Sequence, residues 1–265
     1  MFNRFQLSKK FLQYWLTASN GKGHGIHSPF VFDFIIHVLN DVQQYPCYHP
    51  IENSRKALLN DPTVIEVEDF GAGSAVIKTN KRKLAAIARS SLKSKKYAQL
   101  LFRMVKYYQP DKIVELGTSF GISTAYLASG NENAAVYTCE GSGSIAGIAK
   151  QNFVELGLKN IQLVEGDFEN TISPLLAKLE KVDFTFIDGN HRKEPTLAYF
   201  AKLLNLSSPS TILIFDDIHW SAEMEEAWAE IKLHPSVTLT IDLFFMSIVF
   251  LNTDINHKQH FAIRF

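Results

Sequence analysis

Val114-Glu115-Leu116-Gly117-Thr118-Ser119-Phe120-Gly121-Ile122-Ser123-Thr124 is the stretch whose reading decides the fold. The apolar run Lys112–Leu116 reads as a short buried strand, and a helical stretch follows near Ser123–Ala128. Between them lies a Gly-rich turn. In open α/β sheets such turns at the carboxyl ends of strands are where ligands bind. Gly117 permits a tight turn, and Gly121 permits close approach of the backbone to a ligand. Ser119 stands where a GxGxxG dinucleotide loop has its second glycine, so a pyrophosphate ligand is disfavoured. Glu115 points the same way, because a carboxylate facing the pocket repels phosphates and suits a cationic ligand.

Downstream, short apolar runs alternate with helical stretches. Strands are expected at Lys112–Leu116, Ala135–Cys139, Ile161–Val164, Val182–Ile187 and Thr211–Phe215. After the first helix, others are expected near Ser144–Leu156, Asn170–Leu179, Glu194–Leu204 and Ser221–Leu233. This alternation implies an α/β fold with a parallel sheet covered by helices on both faces. The tail breaks the rhythm: Val237–Leu243, Met246–Leu251 and Phe261–Phe265 read as strands with no helix between them. Two of these three runs should form a C-terminal antiparallel hairpin.

Each strand ends in chemistry. The second ends in Thr138-Cys139-Glu140-Gly141, which places Glu140 to accept hydrogen bonds from a ribose diol. The third runs into Asp167-Phe168, a carboxylate and a ring suited to the amine and the face of an adenine. The fourth ends in Asp188-Gly189-Asn190-His191 and the fifth in Asp216-Asp217-Ile218-His219-Trp220.

Residues 1–109 have a different texture and read as a mainly helical N-terminal extension to a domain spanning 110–265. Apolar residues at helical spacing mark Phe5–Ala18, Phe30–Leu39 (with Ser28 as N-cap and Pro29 at the first helical position), Ile51–Leu59, Lys81–Ser91 and Ser94–Tyr108. Thr63–Phe70 alternates like a strand. Asp69-Phe70-Gly71-Ala72-Gly73-Ser74 is a second Gly-rich candidate for a cofactor loop. Basic helices follow it instead of an alternating β-α series, so it reads as a turn in the extension. The basic residues between Lys78 and Lys96 read as a solvated helix face.

Composition narrows the class. Apolar residues make up 46% and charged residues 20%, with zero formal net charge. A globular core is affordable, and no global basic field exists to hold a nucleic acid. Cys47 and Cys139 form no metal-binding spacing, and two free thiols suit a reducing cytoplasm. No signal-peptide core and no run of about 18 apolar residues occurs, so no membrane partner is expected. A helical extension with exposed aromatics would support a homodimer.

The ordered strand ends resemble those of the class I S-adenosylmethionine-dependent methyltransferases, in particular the catechol O-methyltransferase-like branch, over residues from about Pro110 onward. The resemblance implies a Rossmann-like methyltransferase sheet and S-adenosyl-L-methionine as cofactor. Glu115, Gly117, Thr118, Ser119 and Gly121 would then line its methionine part. Glu140 and Gly141 would hold the ribose and Asp167 and Phe168 the adenine, and Asp188 would also contact the cofactor. It further implies that Asp188, Asp216 and Asp217 hold a divalent cation, usually Mg²⁺, which orients and acidifies the acceptor hydroxyl. The competing reading makes these acids helix caps or cofactor contacts without a metal. His191 stands where the branch carries a lysine base, and with Asp188 it is the candidate catalytic pair; histidine exchanges a proton near neutral pH.

O-methylation of a small molecule is the expected activity. The chain lacks the Asn/Asp-Pro-Pro-aromatic motif that would favour nitrogen, and Asp188-Gly189-Asn190-His191 stands in its place. Metal-independent methylation of nitrogen or of a macromolecule, and a non-catalytic cofactor-binding module, are the alternatives.

Overall fold

The computed structural model describes residues 1–67, 80–255 and 257–265. Asp69–Ser74 therefore lies outside the described residues. In chain order the helices are α1 (Arg4–Thr17), α2 (Pro29–Phe34), α3 (Tyr48–Asn60), α4 (Leu84–Ser91), α5 (Lys95–Tyr108), α6 (Ile122–Gly130), α7 (Gly143–Glu155), α8 (Phe168–Leu176), α9 (Lys193–Leu204) and α10 (Ala222–Leu233). The strands are β1 (Val64–Glu66), β2 (Lys81–Lys83), β3 (Lys112–Leu116), β4 (Ala135–Glu140), β5 (Ile161–Glu165), β6 (Phe184–Ile187), β7 (Ile212–Asp216), β8 (Leu239–Asp242), β9 (Met246–Phe250) and β10 (Gln259–Ala262). The chain packs as two compact units, Val42–Lys178 and Met1–Asp41 with Leu179–Phe265. Residues before Pro110 are thus shared between the units.

Unit Val42–Lys178 carries the parallel strands β3-β4-β5 in that order. β3 and β4 read as apolar runs because their neighbours bury them. α5 buries Ala98, Leu101, Phe102 and Val105, and its neighbour α6 fits closely because a Cβ at Gly130 would lie 2.7 Å from Val105 Cβ. Tyr126 Oη donates to Glu52 Oε1 at 2.9 Å, Arg55 Nε donates to the same carboxylate at 3.0 Å, and Arg55 Nη1 donates to the Lys93 carbonyl at 2.6 Å. These bonds join α3, α6 and the α4–α5 connection. Burial and the neighbouring Glu52 raise the Tyr126 phenol far above its usual range, so it stays a hydrogen-bond donor. The expected helix Lys81–Ser91 begins late, at Leu84. Lys81–Lys83 instead pair antiparallel with Glu66–Val64, an extended pairing that alternating Val64-Ile65-Glu66 offers.

Unit Met1–Asp41 with Leu179–Phe265 carries β6-β7-β9-β8-β10 in that order. Among its described pairings all are parallel except those of β9, which runs antiparallel to both β7 and β8. The expected terminal hairpin is therefore β8–β9, and the third run, β10, joins β8 in parallel. The fold is mostly parallel α/β with a C-terminal antiparallel hairpin, as the alternation of runs requires. Ser28 takes the N-cap position before Pro29, but its hydroxyl makes no capping bond. The helix expected to Leu39 passes into a π-helical turn at Ile35–Leu39.

A partly buried ionic chain fastens α1. Leu7, Phe11, Tyr14 and Ala18 pack with Phe244 and Ala262, and Tyr14 Oη donates to the Ile263 carbonyl. Lys10 Nζ donates to Glu225 at 2.8 Å, His219 Nδ1 lies 3.0 Å from the same carboxylate, and His219 Nε2 lies 2.8 Å from Asp242 Oδ2. The imidazole stacks on Phe244 with ring centroids 4.9 Å apart. Burial penalises its charge, yet the hydrogen bonds and charges of Asp242 and Glu225 outweigh burial and hold its pKa above the usual value. A raised histidine pKa contributes stability that is complete below the unfolded value of about 6.5 and disappears as pH rises through the folded value. Thermal melts across that window should show stability falling as pH rises, with the His219→Gln protein losing this pH-dependent component. Identical pH slopes in both proteins would refute the assignment.

Candidate active site

The turn after β3 is built from three left-handed residues: Gly117 at φ 105°, Ser119 at φ 47° and Gly121 at φ 81°. Gly117 and Thr118 N–H both donate to the Cys139 carbonyl at 3.1 Å, which holds the turn over the end of β4. Gly121 N–H closes the turn on the Thr118 carbonyl at 2.9 Å and caps α6. Gly121 is required twice over. Its φ disfavours a side chain, and a Cβ there would collide with the Phe153 ring. Asn152 Nδ2 donates to the Phe120 carbonyl at 2.9 Å and fixes the same loop from α7.

Glu140 links the two strand ends. Its Oε2 accepts from Ser119 N–H at 2.9 Å and its Oε1 from Ser142 N–H at 3.0 Å. Burial raises its pKa, while the backbone N–H groups of Ser142, Ser119 and Gly141 draw it down. Gly166 N–H donates to the Glu140 carbonyl at 2.9 Å, bringing the end of β5 alongside. Asp167 caps α8 by accepting from Glu169 N–H at 3.3 Å, and Phe168 is the first residue of that helix.

Glu115 is fully buried beneath the turn and accepts from the Thr124 hydroxyl and, at 2.6 Å, from Thr138 Oγ1. Thr118 Oγ1 lies 2.6 Å from Thr138 Oγ1 and completes this polar knot. Cys139 beside it is pushed up to about 12 by burial and by the charges of Glu115 and Glu140, which keeps it an unreactive thiol. In unit Val42–Lys178, then, the structure gathers Glu115, Gly117, Thr118, Ser119, Gly121, Glu140 and Gly141 around one turn, with Asp167 and Phe168 at the next strand end.

In the other unit, Asp188 follows β6, and Asn190 and His191 are left-handed at φ 64° and 24°. This sharp loop brings His191 Nε2 to 3.5 Å from Asp188 Oδ1. Asp216 ends β7 with only 2% exposure. Asp188, His191 and Asp216 each offer a ligand atom within 4.8 Å of the others. Asp217, left-handed at φ 50°, is outside this group and lines a cavity of about 160 Å³ with Leu7, His219, Trp220, Phe244 and Phe245. Sequence reasoning did not foresee the ion pairs of His219. Its partners Glu225 and Asp242 come from α10 and β8, and no local spacing signals them.

Residues 114–218 match the family profile of a methyltransferase domain. The chain is 31% identical over 126 residues to a catechol O-methyltransferase of Niastella koreensis, covering 46% of this chain and 55% of that protein; it thus spans about half of that relative's length. It is 27% identical over 190 residues to the O-methyltransferase imqG of Aspergillus flavus, covering 69% of this chain and 73% of the other. The structure of an O-methyltransferase from Bacillus cereus in complex with SAH superposes with a TM-score of 0.57 at 21% identity, over 80% of this chain and 93% of that one.

Gly121→Ala should destabilise the protein by about 1–3 kcal/mol through overpacking against Phe153. Urea unfolding should show a lower midpoint at an unchanged slope, and an unaltered midpoint would contradict the packing described. Residues 114–218 thus match a methyltransferase domain, and the chain shares the fold of the Bacillus cereus protein.

Proposed function

We propose that this chain transfers a methyl group from S-adenosyl-L-methionine to an oxygen atom of a small-molecule acceptor. The observation that carries the proposal is the Glu140–Ser119 bond at the mouth of the Gly117–Gly121 turn, inside the matched methyltransferase segment. The turn residues Gly117, Thr118, Ser119 and Gly121 bind the methionine portion, and Glu115 supports them from below. Glu140 and Gly141 take the ribose hydroxyls, and Asp167 and Phe168 take the adenine. The acceptor oxygen attacks the sulfonium methyl carbon as the carbon–sulfur bond breaks, and the sulfur leaves as a neutral thioether. The leaving group is already good, so the protein's task is to align the partners and remove the acceptor's proton. A cytoplasmic setting agrees with two unreactive, unpaired cysteines.

The acceptor-side roles fall to Asp188, His191 and Asp216. His191 Nδ1 is the proposed proton acceptor, with Nε2 turned toward Asp188, which orients the ring. The same three donors also fit a divalent cation, with one imidazole nitrogen and two carboxylates. Such a donor set suits Mn²⁺, Fe²⁺ or Zn²⁺ better than Mg²⁺, which prefers oxygen and water. A bound cation would supply positive charge that favours the ionised acceptor oxygen. A neutral imidazole bound to a cation through one nitrogen carries its proton on the other, so the ligand and base roles of His191 exclude one another.

Calorimetry with S-adenosyl-L-methionine tests the first part. Binding is expected, and Glu140→Gln should weaken it about tenfold or more, since a hydrogen bond to a charged group contributes about 1.5–3 kcal/mol. Absence of binding to the unaltered protein would sink the methyltransferase reading. For the acceptor side, Mn²⁺ should titrate onto the protein more tightly than Mg²⁺, and His191→Ala should abolish the difference. If neither cation binds while activity persists after chelation and falls with His191→Ala, the imidazole acts as base alone.

A further inference from the structure

α1 is apolar on two opposite sides. One side, Leu7, Phe11, Tyr14 and Ala18, is packed into the protein. At about 100° per residue, Phe5, Leu12 and Leu16 fall on the opposite side. They stand in solvent at 81%, 57% and 69% exposure, with Trp15 exposed at the margin. A helix face turned to water ordinarily carries polar residues, so this stripe needs a cover.

Charge selects the cover. The chain has no Asp or Glu before Asp33, whereas Arg4, Lys9, Lys10 and Lys22 are cationic. Lys10 is held by Glu225, but Arg4 and Lys9 are exposed on α1 itself. The Arg264 guanidinium, 5.5 Å from the Trp15 ring centroid, adds a further cation at the margin of the stripe. A second copy laid on this face would set cations against cations. An anionic lipid surface satisfies both features: its headgroups pair with the basic side chains, and its acyl boundary takes up Phe5, Leu12 and Leu16.

We propose that α1 docks this protein reversibly on a negatively charged membrane surface, with the helix lying in the interface plane. No helix among the described residues is long and apolar enough to cross a membrane, and lying on a bilayer demands no such length. This departs from the expectation of no membrane partner, which rested on the lack of a long apolar run.

Co-sedimentation of the full chain with phosphatidylcholine vesicles, plain or with about a quarter phosphatidylglycerol, tests the proposal. Binding to the anionic vesicles alone is expected, and it should weaken about tenfold or more in Phe5→Ser/Leu16→Ser and in about 0.5 M salt. An unchanged melting temperature would show that the variant is folded; should it unfold, Lys9→Glu carries the same expectation. No binding, equal binding to both vesicles, or a dimer in sedimentation velocity that the double variant dissolves would overturn the proposal.

Discussion

The carboxylate of Glu140 is the interaction on which the Gly117–Gly121 turn depends. The turn after β3 strings together three left-handed residues, and one of them, Ser119, pays a steric penalty that glycine would avoid. Its N–H is held by a buried acid on the neighbouring strand, and the other oxygen of that acid anchors the start of α7 through Ser142. One side chain thereby ties β3, β4 and α7 at the end of the sheet where ligands bind. The polar knot of Glu115, Thr118, Thr124 and Thr138 supports the turn from below, where water does not reach.

The alternation of apolar runs and helical stretches made the order of elements legible, because β6, β7 and β9 are buried over their whole length and carry almost no polar residues. Strand ends were legible for the same reason: the first polar residue after each run is the one presented at the edge. Other features depend on contacts far apart in sequence. The short pairing of β1 with β2 overrides the helical pattern at Lys81–Lys83, and the parallel joining of β10 to β8 leaves no local trace.

The candidate site divides along the same line. Glu140 was recognisable from its position at a strand end, and its bonds to Ser119 and Ser142 conform to that position. The convergence of His191 with Asp188 and Asp216 depends on the left-handed loop Asn190–His191, which spacing alone does not reveal. Asp217 neighbours Asp216 in sequence, yet its left-handed backbone turns it toward the aromatic cavity. His219 is likewise unreadable in isolation, since its protonation is governed by acids six and twenty-three residues away.

The reversal of β9 has its own consequence. Met246 opens β9 opposite Asp216, the last residue of β7, so the turn between β8 and β9 lies at the acid-bearing end of β7. That turn carries Phe244 and Phe245, two walls of the cavity beside Asp217 and Trp220. A hairpin tip lies outside the strand register, so an exposed residue there can change while the sheet stays intact. Of the two, Phe244 is committed to packing on α1 and His219, so Phe245, 38% exposed, is the tip residue whose replacement would reshape that wall of the cavity, leaving the turn at Gly117–Gly121 untouched.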